Sequence, residues 1–243
     1  MGMRLALCLL ICAGCVHARS EGRENREDRE GQPPVDPAVH AVLDGEVRNA
    51  RDLGGTRLSG GATVDYGVLA RGPTLSRLSE AGCDELAQLG VRSVIDLREE
   101  SERNATPASE CVEQQARIVL APLPIPYNVS PTDYLVDLDT DDSIATAFHL
   151  LGDPEAYPIY FHCTYGRDRT GVLAALILRA LGASQDAIMR EYELSRNSVG
   201  ATPPSLQAVL HEIERRGGIQ AHLASIGISD AELEVLRERA RSR

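Results

Sequence analysis

Between Gly171 and Leu181 the chain carries a helix-length run in which Arg179 is the sole charged residue. A helix apolar on every side has no face to offer water, so it must be buried. It is entered from Pro158–His162, a short β-rich run that reads as a buried strand. The loop between them is Cys163-Thr164-Tyr165-Gly166-Arg167-Asp168-Arg169, and Thr170-Gly171 opens the helix. A strand, a short loop and a helix, both elements internal, constrain the chain to an α/β fold. They also aim the loop's backbone N–H groups and the positive helix end at one point. Such a point binds an oxyanion and favours the thiolate of a cysteine at the loop's start. Gly166 supplies the backbone freedom of a tight loop. Arg169, six positions after Cys163, can grip two phosphate oxygens as a planar fork.

The rest of the chain from about residue 40 follows an α/β pattern. Strands are expected at Val64–Ala70, Val91–Leu97 and Ala116–Leu120, besides Pro158–His162. Helices are expected from Ser79 to Leu89, over Ser143–Leu151, from Ser184 through Arg196 and over Pro204–Arg216, with Gly90, Gly152 and Gly217-Gly218 as stops. Ser229 and Glu232 form a capping box for a last helix. This predicts one sheet with a helical C-terminal half, in one domain over residues 40–243.

The N-terminus reads differently. Arg4 precedes an apolar run, Leu5–Val16, too short to span a bilayer and suited to a signal peptide over residues 1–18. Cys12-Ala13-Gly14-Cys15 resembles a bacterial lipobox, with Cys15 as the lipidated residue, although Leu is usual where Cys12 stands. Ordinary cleavage after Ala18 is the rival reading. Residues 19–39 mix Arg with acidic residues, then Gly and Pro, and are expected to be a disordered tether. The domain is thus expected in a bacterial cell envelope, lipid-anchored or else secreted or periplasmic.

Composition excludes several classes. All 25 basic residues are Arg, which removes Schiff-base lysine catalysis and any Walker-type phosphate loop. A net charge of −11 argues against a nucleic-acid partner, so phosphate chemistry must be a local pocket. His40, His149, His211 and His222 show no metal spacing, and Asp137–Asp142 lacks the Gly and terminal Glu of a calcium loop.

His162-Cys163, then Gly166, Asp168, Arg169, Thr170 and Gly171, resembles the signature of Cys-based protein tyrosine phosphatases. Its form is that of bacterial tyrosine and lipid phosphatases whose loop reads HCxxGKDRTG, with Arg167 in place of Lys. Asn49-Ala50-Arg51-Asp52-Leu53-Gly54-Gly55 also matches, with Ala50 replacing a bulkier residue. So do Val94–Arg98 followed by Glu102, Glu191–Ser195, and the tail from Gly217-Gly218 through Leu223 to Gly227–Ser229. The resemblance covers about residues 46–240. It implies a central, mostly parallel sheet flanked by helices, with no metal or other cofactor. It implies a phosphomonoester hydrolase acting through a phosphocysteine, on phosphotyrosine and also phosphoinositides.

In that reading Cys163 is the nucleophile, Arg169 the phosphate clamp and Asp168 the general acid, with Asp96 and then Asp133 as alternatives, or else Asp168 only orients Arg169 through a salt bridge. Thr164, Tyr165, Gly166, Arg167 and Thr170 line the substrate site, Arg167 as a second cation at its mouth or else paired with a neighbouring carboxylate and silent in recognition. His162 orients the loop or is an ordinary core histidine. Asp96 and Arg98 are pocket residues or a structural salt bridge. Arg51 and Asp52 brace the site, or the glycines after them make a turn. A catalytically silent phosphate-binding module is the rival function, with sulfur transfer or arsenate reduction as an outsider. Cys83 and Cys111 are expected to stay unpaired, because Cys83 falls on a helix facing the core, and Cys111 is a candidate resolving thiol for Cys163.

Overall fold

A computed structural model describes residues 42–43, 46–124, 130, 133–136, 138, 141–199 and 202–242, all within one compact unit, Val35–Arg243. The expected signal segment, Cys15 and the tether lie outside the described residues, as do residues 137, 139 and 140 of the acidic stretch.

Five strands form one sheet: β1 (Arg51–Asp52), β2 (Leu69–Gly72), β3 (Ser93–Asp96), β4 (Arg117–Leu120) and β5 (Ile159–His162). Their order is β1-β2-β5-β3-β4, parallel throughout except that β1 runs antiparallel to β2. The last strand in sequence therefore fills the middle slot. Both faces are covered, since neighbouring residues point to opposite sides. Ile159, Phe161 and Ile95 join one apolar cluster, whereas Tyr160 and Val94 join another with Leu75, Leu86 and Val112. That two-sided burial is why β5 reads as a continuous apolar run. Gly72, His162 and Asp96 lie side by side in register, so the loops leaving β2, β5 and β3 meet at one edge, where open α/β sheets gather their functional groups.

The helices are α1 (Glu80–Gln88), α2 (Glu100–Ala105), α3 (Glu110–Gln115), α4 (Asp133–Val136), α5 (Asp141–Leu151), α6 (Asp168–Ala180), α7 (Gln185–Glu193), α8 (Arg196–Val199), α9 (Pro203–Arg215), α10 (Ile219–Ser225) and α11 (Asp230–Ala240). Ser79 and Ser184 cap α1 and α7 through their side chains, and Ser229 with Glu232 forms the expected capping box of α11. The apolar helix α6 is buried from Arg169 through Leu178. Burial of each Leu or Ile there is worth about 1.5–3 kcal/mol. A Cβ on Gly171 would lie 2.5 Å from the Tyr192 ring, so this glycine sets how closely α6 and α7 pack.

Several boundaries differ from the sequence reading. Helix α6 starts at Asp168, which puts Asp168, Arg169 and Thr170 in its first turn and shortens the loop. The expected strand at Val64–Ala70 is displaced to Leu69–Gly72, and Val64 only makes a bridge to Arg241. The helix expected to reach Arg196 ends at Glu193, where Leu194 and Ser195 turn the chain and bury the Ser195 hydroxyl against Arg51.

One expectation is overturned. Cys83 and Cys111 form a disulfide, with Cα atoms 6.0 Å apart. The buried stripe of α1 is Gly82 and Leu86, so Cys83 lies beside that stripe, against α3, rather than in it. The resolving role of Cys111 falls with it, and among the described residues Cys163 is the free thiol.

Candidate active site

Cys163 follows β5 directly and is 3 % exposed. The loop then turns at Gly166 in the left-handed region, with φ +66°. A Cβ there would lie 2.3 Å from the Gly72 carbonyl carbon and 2.5 Å from Pro73 N, so the loop rests on the chain leaving β2. The loop's carbonyls are held from outside. Gly166 O accepts from Arg71 Nη2 at 2.7 Å and Asn49 Nδ2 at 3.1 Å. Tyr165 O accepts from Asn49 Nδ2 at 3.2 Å, and Thr164 O from Thr74 N at 3.4 Å. In a trans peptide the next N–H points opposite to its carbonyl. Tying the carbonyls outward therefore turns the N–H groups of Tyr165, Gly166 and Arg167 inward.

Behind the loop sits a buried ion cluster. Glu191 on α7 receives Arg51 Nε at 2.7 Å and Arg71 Nη1 at 2.8 Å. Arg51 also donates to Asn49 Oδ1, Glu191 O and Ser195 Oγ, which fixes the Asn49 side chain against the loop. Burial works to raise the Glu191 carboxyl, but Arg51 and Arg71 together bring it below its ordinary value. Arg51 therefore braces the loop rather than lining the pocket. Asp52 accepts from Gly54 N and Gly67 N, both at 2.6 Å, and stitches a turn.

Arg169 closes the ring from α6. Glu102 on α2 takes its two terminal nitrogens, with Nη2 to Oε1 at 2.6 Å, and accepts from Thr164 Oγ1 as well. Asp96 and Arg98 form a buried pair with Nη2 2.8 Å from Oδ2, and Arg98 also donates to Thr106 O. Burial alone would raise the Asp96 carboxyl, but the Arg98 hydrogen bonds, with His162 nearby, hold it below the usual range. This pair serves as a structural salt bridge under the site. His162 lies 3.8 Å from Asp96 Oδ1, and burial pushes it down to about 4, so it is neutral at pH 7. Its Nδ1 is 3.2 Å from Cys163 O, where it can orient the loop.

At the mouth, Asp168 accepts from Arg167 Nε at 2.7 Å and from the Tyr134 hydroxyl. Arg167 also donates to Val199 O at 2.6 Å, so it is paired with the neighbouring carboxylate. Burial, then Tyr192 and Asp168, push the Tyr134 phenol well above its ordinary value, which keeps it a proton donor. Tyr165, on the loop itself, is 51 % exposed, and Thr170 Oγ1 is buried with no hydrogen-bond partner among the described residues. Asp133 lies on α4, outside the loop.

The structure thus gathers residues His162 to Thr170 with Asp96 and Arg98 at one sheet edge. Sequence reasoning missed Arg71, a lone arginine on a strand with no local pattern, and Tyr134. Asn49, Glu102 and Glu191 stood in recognised motifs, but their contacts are tertiary and no spacing could assign them. Among the described residues no cluster of His, Cys, Asp or Glu has metal-holding geometry, and no helix is long and apolar enough to cross a membrane.

The model of the tyrosine phosphatase family matches residues 43–241. A candidate tyrosine-protein phosphatase of Cupriavidus necator is 30 % identical over 171 residues, covering 63 % of this chain and 62 % of that protein. The chain therefore spans just under two thirds of that relative's length. A tyrosine-protein phosphatase of Nostoc commune is 24 % identical over 287 residues, covering 98 % of this chain and 96 % of its own. The triple specificity protein phosphatase PtpB of Mycobacterium tuberculosis is 28 % identical over 205 residues, covering 68 % and 71 %.

Proposed function

The chain belongs to the tyrosine phosphatase family, and on that premise we propose that it hydrolyses phosphotyrosine through a phosphocysteine at Cys163. The observation that carries the reading is the loop itself, a free thiol ringed by inward N–H groups and closed by Arg169. Cys163 Sγ, as thiolate, forms a bond to phosphorus as the ester P–O bond breaks. Arg169 and the loop amides hold the equatorial oxygens. Asp168 gives a proton to the leaving oxygen, then takes one from the water that cleaves the S–P bond and releases phosphate.

Phosphotyrosine is the first substrate and phosphoinositides the second. Recognition of a further phosphate by Arg167 requires its pair with Asp168 to open, whereas a single phosphate needs only Arg169 and the loop. The name of the Mycobacterium tuberculosis relative supports testing more than one substrate class. For location, we propose export to a bacterial envelope with Cys15 lipidated. The Leu5–Val16 run supports this, and the Cys83–Cys111 disulfide fits an oxidising compartment.

The deciding experiment is vanadate-sensitive hydrolysis of an aryl phosphate and a phosphotyrosine peptide, with Cys163→Ser alongside. Turnover lost in Cys163→Ser with substrate binding kept supports the reading. Phosphate binding without wild-type turnover makes this a silent phosphate-binding module, and turnover in Cys163→Ser refutes the mechanism. Mass spectrometry of the native N-terminus tests the anchor, since a free N-terminus at Arg19 would show ordinary cleavage.

A further inference from the structure

Buried charges in proteins are paired, because an isolated one costs several kcal/mol in a low-dielectric interior. Around this site the pairing is complete in three places: Arg169 with Glu102, Arg167 with Asp168, and Arg98 with Asp96. The fourth group is different. Arg51 and Arg71, two guanidinium groups, share the single carboxylate of Glu191. Arg71 is fully buried on β2, and its other hydrogen bonds go to the neutral carbonyls of Gly166 and Arg167. Burial, with Arg51 beside it, lowers Arg71 to about 10, so it still carries its charge at pH 7. Its Nε is buried without a hydrogen-bond partner among the described residues.

The missing negative charge is adjacent. Arg71 pairs in register with Phe161, two positions before Cys163, and is near enough to Cys163 to interact electrostatically. The groups facing Arg71 are Arg51 from β1, Glu191 and Tyr192 from α7, and Cys163 from the loop. Tyr160 on β5 also faces Cys163, and burial, with Cys163 beside it, raises that phenol well above its ordinary value, so it stays neutral. His162 is neutral at pH 7 and offers no balancing charge. Besides Glu191, the groups facing Arg71 that can become anions are the Tyr192 phenol and the Cys163 thiol, and a thiol ordinarily ionises before a phenol.

We propose that Arg71 is the positioning residue for the nucleophile, supplying the surplus positive charge under the loop that Cys163 neutralises as a thiolate. This rests on Cys163 being the nucleophile but places its counter-charge on β2 rather than on the phosphate clamp. Arg169 is engaged by Glu102, so the counter-charge for Cys163 falls to a cation on β2 that lies behind the loop. The same side chain holds the Gly166 carbonyl outward, so one residue sets both the charge and the shape of the loop.

The test is the pH dependence of Cys163 alkylation by iodoacetamide in the full-length protein, read on the Cys163 peptide by mass spectrometry. In Arg71→Met the midpoint should move up by about one pH unit, so alkylation at pH 6 slows roughly tenfold. Arg71→Lys should hold its midpoint near that of the wild type. Glu191→Gln removes the cluster's negative charge and should move the midpoint the opposite way, which keeps the proposal exposed should Arg71→Met fail to fold. A merely structural Arg71 would lower the melting temperature and leave the midpoint in place. A folded Arg71→Met with the wild-type profile overturns the proposal, as does a Glu191→Gln midpoint that moves upward. Alkylation requires no turnover, so a chain that hydrolyses no phosphate would sink the proposed function without deciding this one.

Discussion

Replacing Glu102 by Gln removes one charge from the site without changing its shape. The carboxylate accepts from both terminal nitrogens of Arg169 and from the Thr164 hydroxyl. An amide keeps one accepting oxygen and turns N–H hydrogens toward a guanidinium that has only N–H to offer. At least one charge-assisted bond is lost, worth about 1.5–3 kcal/mol. The Arg169 side chain is 5 % exposed, so little of the loss is made up by bulk solvent. Two effects of opposite sign follow. An arriving oxyanion no longer competes with a carboxylate for the fork, so inhibition by inorganic phosphate should tighten by about tenfold, or about 1.4 kcal/mol. The fork is also less well aimed, and kcat should fall by roughly ten- to thirtyfold. Steady-state hydrolysis of an aryl phosphate with inorganic phosphate as competitive inhibitor, at fixed ionic strength, measures both. If kcat and the phosphate inhibition constant each stay within about twofold of wild type, the Arg169–Glu102 pair has no part in anion binding.

Asp168→Asn should depress hydrolysis of alkyl phosphates far more than that of activated aryl phosphates, whose leaving groups need no proton; equal losses would make Asp168 structural. Burial depresses His162 in the folded chain to about 4 from an ordinary 6.5, so the unfolded chain binds the extra proton first. Its contribution to stability is therefore present above pH 6.5 and is lost as pH falls toward 4. Denaturant titrations over that window should show this slope, and His162→Gln should flatten it. Opening the Cys83–Cys111 bridge, with its 28-residue separation, should cost up to about 3–4 kcal/mol of unfolding free energy. Turnover at 25 °C should stay near wild type, so a matching loss of kcat in Cys83→Ser would show that the bridge shapes the site.

What was legible in the sequence was local. The apolar content of α6 required an internal helix, and Cys163, Gly166 and Arg169 needed only their spacing to suggest an anion loop. Capping by Ser79, Ser184 and Ser229 was readable because the capping group precedes its own helix. Short elements escaped: β1 has two residues, and the cap of α2 is Glu99, outside the usual capping set. Long-range partners escaped as well. Arg71 meets Gly166 across 95 positions, and Glu191 meets Arg51 across 140. The disulfide was misjudged for a related reason. Helical periodicity tells which face of α1 is apolar, but not that α3 lies beside the next residue round.

The bridge between α1 and α3 has a consequence for a protein that meets proteases. It closes a covalent ring around β3, Asp96, Arg98 and the whole of α2 with Glu102. Arg103 sits on α2 within that ring. A trypsin-like cut after Arg103 would nick the chain yet release no fragment, because both ends stay joined through sulfur. Glu102 would become the residue before the new C-terminus at Arg103, on the segment that follows β3, which is itself paired to β5. A nicked molecule should thus run as one band without reductant and as two with it, and damage that would detach the Arg169 brace from an open chain leaves it tethered within reach.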